Sequence, residues 1–264
     1  MAEITAKLVK ELRDRTGAGM MENKRALEAT DGDIEAAAKW LREQGIIKSA
    51  GRSDRDNSEG AVAISRNGNV GALVELKSET DFVAKSEGFL NVLNDLVAAV
   101  CVDGEGAIDA NKDAIDDLKV TLKENIEVGE VVRFEATSGN VFDAYLHSNN
   151  GRGVNGVLVE LAGGTEEQAH SVALHIAFAK PSYLSRDEIP ADAIEAERAS
   201  FETQTRNEGK PEQAIAKIVE GRVNSWIAEQ VLVEQKMLGD EKQTVADALG
   251  SATVVRFAQA VIGA

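Results

Sequence analysis

Two six-residue segments, GALVEL from Gly71 and GVLVEL from Gly156, stand 85 positions apart and are nearly identical. Each follows another β-like run, AVAIS in the first copy and FDAYLH in the second, across a loop rich in Gly and Asn. Each also precedes an amphipathic helix. The first carries Phe89, Leu93, Leu96, Val97 and Val100 at three-to-four spacing, and the second carries Val172, Leu174, Ile176 and Ala177. A hairpin plus a helix, written twice, predicts an α+β core in two related halves.

The flanks follow other rules. Thr5 can cap a helix bearing Leu8, Val9 and Leu12, TGAG breaks it, and Met20 to Ala29 forms a second helix. After TDGD, Asp33 can cap a third, with Ile34, Ala37, Ala38 and Leu41 on one side. Residues 1–47 therefore read as a three-helix bundle, and the polar, Gly- and Ser-rich stretch 48–59 as a linker that leaves the bundle mobile. The two core halves occupy 60–140 and 141–189. From 190 to 232 a new pattern begins, with Pro190 and Pro211 suited to first helical turns and Gly209 to the helix end between them. Ile194 and Phe201 facing Ile215, Val219 and Trp226 predict an antiparallel helical hairpin. Residues 233–264 return to the core through a short helix near Thr244 and the β-like ATVVRFAQAVIGA.

Charge narrows the function classes. With 45 Asp and Glu against 29 Lys and Arg, the formal charge is −16. That balance repels a phosphate backbone, no basic block offsets it, and direct nucleic-acid binding is argued against. MAEITAKLVKELRDRTG has neither a signal peptide's apolar stretch nor a transit peptide's acid-poor composition. No run approaches bilayer length, so the chain reads as cytoplasmic, with no membrane partner. The single cysteine, Cys101, lies on an apolar face and reads as a core thiol.

Enzyme motifs fare poorly. GRGVNG, Gly151 to Gly156, matches G-x-G-x-x-G, but a strand follows where the dinucleotide fingerprint needs a helix N-terminus, so a hairpin loop is the better reading. His170 and His175 are five apart on one helix and do not aim at one metal, and His147 lies at a strand end. No catalytic site assembles, and no cofactor or metal is called for. Two apolar oddities remain. Met20 and Met21 are adjacent, so one helix cannot turn both equally inward, although ordinary packing expects at least one in the core. Phe82 sits in the strand-to-helix turn SETDFVAKSEGF, where small polar residues are usual. Local chemistry predicts that Thr80 or Asp81 caps the turn and that Phe82 folds back on the helix as a staple-like contact.

Together LVKELRDRTGAGMMENKRALEATDGDIEAAAKWLREQG, TDFVAK, the duplicated core and EGKPEQAIAKIVEGR resemble the bacterial elongation factor Ts family, the guanine nucleotide exchange factors of elongation factor Tu. The resemblance implies a UBA-like N-terminal domain, a two-subdomain core and an inserted antiparallel coiled coil. It implies that Thr80, Asp81, Phe82 and Val83 enter the GTPase domain of elongation factor Tu. There the ring of Phe82 wedges between helices and disturbs the magnesium site. It further implies partner contacts through Arg13, Met20, Met21, Leu122 and His147. No cofactor of the chain's own is implied; the action falls on the partner's GDP and magnesium. The helical hairpin is compatible with a one-to-one complex or a dimer of heterodimers. A UBA-like adaptor without exchange activity is the main alternative class, and a small dehydrogenase built on Gly151 to Gly156 a weaker one.

Overall fold

The computed structural model describes residues 4–16, 18–50, 52 and 54–263, with the side chains of all of these except 46–50. Gly17 in the first break, Gly51 and Ser53 in the linker, the segment ahead of Ile4 and the terminal Ala264 lie outside the described residues.

Three helices open the chain: α1 (Ala6–Thr16), α2 (Met20–Ala29) and α3 (Ile34–Ala50). Their shared core is Val9, Leu12, Ala26, Leu27, Ala37 and Leu41. Asn23 is fully buried and pins the α1–α2 turn by donating to the Ala18 and Gly19 carbonyls at 2.7 and 3.1 Å. α3 runs on to Ala50, past the start of the polar stretch read as a linker, because Lys48, Ser49 and Ala50 contain no helix breaker.

The first half of the core comprises β1 (Glu59–Asn67), β2 (Val70–Ser78), α4 (Asp81–Ala84), α5 (Glu87–Asp103), α6 (Ala107–Ala110), α7 (Lys112–Leu122) and β3 (Glu127–Glu135). Its strands form an antiparallel sheet in the order β1-β2-β3. α3 rests on α7, where Arg42 pairs with Asp117 at 3.0 Å and with Asp113 at 3.4 Å. The bundle is thus fastened to the core by α7 as well as by the chain itself.

The second half comprises β4 (Val141–Asn149), β5 (Arg152–Ala162) and α8 (Glu166–Ala179). Only Asn150 and Gly151 form the β4–β5 turn, with φ of 52° and 83°, the left-handed pair that a tight hairpin requires. The rest of GRGVNG is strand rather than loop, since Arg152 already pairs with Asn149. Helices α9 (Ala191–Asn207) and α10 (Glu212–Gln230) make an antiparallel hairpin around Ile215, Val219, Val223 and Ile227, with Ile194, Phe201 and Trp226 packed against them. Next come β6 (Lys236–Met237), β7 (Asp240–Thr244), α11 (Val245–Leu249) and β8 (Thr253–Val261), and β8 completes the second sheet in the order β4-β5-β8.

The duplicated strands are the middle strands of their sheets, which explains why they are apolar on both faces. Ala72, Val74 and Leu76 pack under α5 with Phe89, Leu93 and Leu96, and Val157, Val159 and Leu161 pack under α8 with Val172 and Ile176. Leu73 and Leu158 point the other way and meet with Val62, Phe134, Phe142 and Ala260 in a layer between the sheets. Each repeat begins with glycine for a reciprocal reason. A Cβ on Gly71 would stand 2.2 Å from the Phe142 ring, and one on Gly156 would stand 2.7 Å from Val62. Each half has removed a side chain to admit the other.

The buried Glu of each repeat sits at a bulge. The β2–β3 register shifts between Val74 and Leu76, where Glu75 accepts the Glu130 N–H at 3.0 Å. The β5–β8 register shifts between Glu160 and Leu161, and Glu160 accepts from Thr137 N, Asn140 Nδ2 and Arg256 Nε at 2.7–2.8 Å. Burial works against the Glu160 charge, but these bonds outweigh it and hold the carboxyl below its ordinary range. Cys101 is buried in the first core. His175 is buried, its Nε2 2.9 Å from Gln235 Oε1 and its Nδ1 accepting the Leu238 N–H at 3.1 Å, which makes Nε2 the protonated nitrogen. Burial holds its pKa down. His170 is exposed, with Nδ1 3.0 Å from Asp143.

Candidate functional site

β2 ends at Ser78, whose buried hydroxyl donates to the Thr80 carbonyl at 3.0 Å and bends the chain out of the sheet. Thr80 then takes an extended conformation and caps α4, its Oγ1 accepting the Val83 N–H at 3.3 Å. The cap expected from the sequence is there. The folding back of Phe82 is not: the residue is 83% exposed. Val83 and Ala84 take the inward positions instead and pack on the first core. In a helix of four residues those two consume the buried face, leaving Phe82 on the outside. α4 stops there, because Ser86 is extended and its hydroxyl donates back to the Val83 carbonyl at 2.8 Å.

Asp81 stands beside the ring and receives Lys85 Nζ one turn on. That hydrogen bond holds the Asp81 carboxyl below its usual range, so it is ionised at neutral pH. The turn is also held from a distance. Glu124, just after α7, accepts from Glu79 N at 3.0 Å, Thr80 N at 3.1 Å and Thr80 Oγ1 at 2.6 Å. Glu79 returns the contact by accepting from Asn125 N at 2.7 Å. The sequence reading missed Glu124, which lies 44 residues from Thr80. A signal existed nonetheless. A local capping box needs Glu or Gln three residues after the cap, and Val83 occupies that place.

The remaining positions fall into three places. Met20 and Met21 are 47% and 63% exposed, so neither enters the bundle core, contrary to the packing expectation. The reason is that Asn23, Ala26 and Leu27 already fill the buried side of α2. Arg13 is exposed on α1 of the same bundle. Leu122 is half-buried against the first core, two residues before Glu124, so the structure joins its segment to the Phe82 turn. His147 is exposed on β4, an edge strand of the second sheet, stacked on Tyr145 with ring centroids 6.4 Å apart. No described contact brings His147 or the methionines to the turn.

Among the described residues, no group of three or more His, Cys, Asp or Glu is placed to hold a metal ion. No helix of the described residues is long and apolar enough to cross a membrane. What the site offers is an exposed apolar ring on a braced turn, a surface suited to contact with another macromolecule.

A family model described as "Elongation factor TS" matches residues 79–264, beginning one residue ahead of the Thr80 cap. A protein of Alkalilimnicola ehrlichii named "Elongation factor Ts" is 42% identical over 276 aligned positions, covering 98% of this chain and 92% of that relative. Relatives of the same name from Clavibacter michiganensis and Saccharopolyspora erythraea are each 42% identical across this whole chain, covering 100% and 99% of their own lengths.

Proposed function

The chain belongs to the elongation factor Ts family of translation elongation factors, and from that premise we propose that it promotes release of GDP from elongation factor Tu and so allows GTP to load. The observation that carries this reading is Phe82, an exposed phenyl side chain on a turn tied by the Thr80 cap and by Glu124. An exchange factor must bind the nucleotide-free partner better than the loaded one, and linkage then makes nucleotide weaken the factor's hold by the same factor. A rigid apolar wedge meets that requirement if the cavity it fills opens only when magnesium and phosphate contacts are lost. Burying the ring supplies roughly 1.5–3 kcal/mol, and about 1.4 kcal/mol is tenfold in rate. One side chain therefore accounts for one to two decades of release.

The other roles follow the same logic. Asp81 brings an ionised carboxylate to the partner's magnesium and phosphate region, where repulsion weakens metal coordination. Thr80 and Val83 hold the ring outward. Arg13, Met20 and Met21 dock a UBA-like bundle on the partner, with methionine suited to an adaptable contact. Leu122 and His147 add contacts from the two core halves. The protein holds no nucleotide or metal of its own, performs no covalent chemistry and acts in the bacterial cytoplasm, as a one-to-one complex or as a dimer of heterodimers. The test is release of fluorescent GDP from bacterial elongation factor Tu, in magnesium and excess unlabelled nucleotide. Acceleration by this protein is the expected result; an active partner whose release is unchanged overturns the reading.

A further inference from the structure

We propose that Glu124 is a positioning residue for exchange, holding Phe82 outward by completing from a distance the helix cap that the turn cannot complete itself. The inference rests on the exchange reading above. At the second repeat, Thr165 accepts the Gln168 N–H at 3.2 Å and Gln168 Oε1 accepts the Thr165 N–H at 3.0 Å, a closed local box. At the first repeat the residue in the place of Gln168 is Val83, which has no acceptor and is committed to the core. The Thr80 N–H goes instead to Glu124 Oε2 at 3.1 Å.

Glu124 does more than replace a missing glutamine. Its Oε1 also receives the Thr80 hydroxyl proton at 2.6 Å, which turns a lone pair of that hydroxyl toward the Val83 N–H. A free hydroxyl rotates; this one is aimed. The same carboxylate takes the Glu79 N–H at 3.0 Å, so both residues leading into α4 are tied to one side chain. Glu124 itself is aimed by Lys123, whose φ of 61° turns the chain sharply after α7. Its neighbour Asn125 donates to Glu79 at 2.7 Å and completes a reciprocal clasp. Hydrogen bonds to an ionised acceptor are the stronger kind. Two segments 44 residues apart are thus made into one rigid mount.

The experiment measures GDP release from elongation factor Tu over a range of factor concentrations, for Glu124→Ala and Glu124→Gln, each alone and combined with Phe82→Ala. Glu124→Ala lowers the maximal release rate about tenfold. It leaves the half-saturating concentration within about twofold, because Arg13, Met20, Met21 and His147 dock from other elements. Glu124→Gln, which keeps one acceptor oxygen, recovers part of the loss. In the Phe82→Ala background the Glu124→Ala loss shrinks below about twofold, since there is no ring left to position. Amide exchange at Glu79 and Thr80 quickens in Glu124→Ala, while amides of α5 keep their protection. Unchanged maximal release in a folded Glu124→Ala overturns this inference and leaves the exchange reading standing. A full loss in the Phe82→Ala background also overturns it, because Glu124 would then act on something other than the ring. A parent protein that accelerates nothing overturns the exchange reading and, with it, the role given to Glu124.

Discussion

Thr80 and Thr165 occupy the same place in the two halves of the core, 85 positions apart, and each accepts the backbone N–H three residues on. The glycines that admit the opposite half and the glutamates at the bulges obey the same offset, as Gly71 with Gly156 and Glu75 with Glu160. After the cap the halves diverge. In the second, Gln168 closes the box, α8 runs unbroken to Ala179, and the outward position is Glu167, a solvated charge. In the first, Val83 turns into the core, α4 ends after four residues, and the outward position is Phe82. One local design thus yields an ordinary helix start or a presented ring. The difference lies in whether the cap is closed within the turn or from outside it.

Two phenyl rings seven residues apart, Phe82 and Phe89, differ most. Phe89→Ala empties a fully buried site in the first core and costs about 3–5 kcal/mol in urea unfolding. Phe82→Ala, by contrast, leaves the unfolding free energy within about 0.5 kcal/mol. Writing the second half's residue into the first, as Phe82→Glu, slows GDP release about a hundredfold at an unchanged melting temperature, through loss of the ring and a new charge beside Asp81. Removing the local cap, as Thr165→Ala, lowers stability by about 1 kcal/mol while release per folded molecule stays constant. The halves also answer differently to pH. All three histidines of the chain belong to the second half, and burial lowers the folded pKa of His175 below its ordinary 6.5. The unfolded chain therefore takes up the proton first as pH falls. The His175 contribution is complete above 6.5 and declines below it until the folded pKa is reached. Amide exchange at Leu238, which donates to His175, quickens over that range, whereas amides of β2 do not respond. Smallest of all is Glu167→Ala, under about 0.5 kcal/mol in stability.

Much of the fold was legible because it is local. The repeat at Gly71 and Gly156 announced two hairpins and two helices, and Thr80, Asp33 and Thr244 announced helix starts that the structure contains. Three things were not legible, each for a long-range reason. β3 joins the first sheet from a segment without clear alternation, since its outer residues are mostly half-exposed. The exposure of Met20 and Met21 depends on which residues already fill the bundle. The direction of Phe82 depends on Val83 winning the core and on Glu124 bracing the turn; the turn's own residues show that a local box is missing, but not what replaces it. A cap motif states where a helix begins; it does not state which side chain is left outside.

The measurement that bears most directly on this account is stopped-flow release of fluorescent GDP from elongation factor Tu at saturating concentrations of the parent, Phe82→Ala and Glu167→Ala proteins. Release is slower by one to two decades for Phe82→Ala, with Glu167→Ala indistinguishable from the parent. Equal rates for all three, with each variant folded and bound, would contradict it.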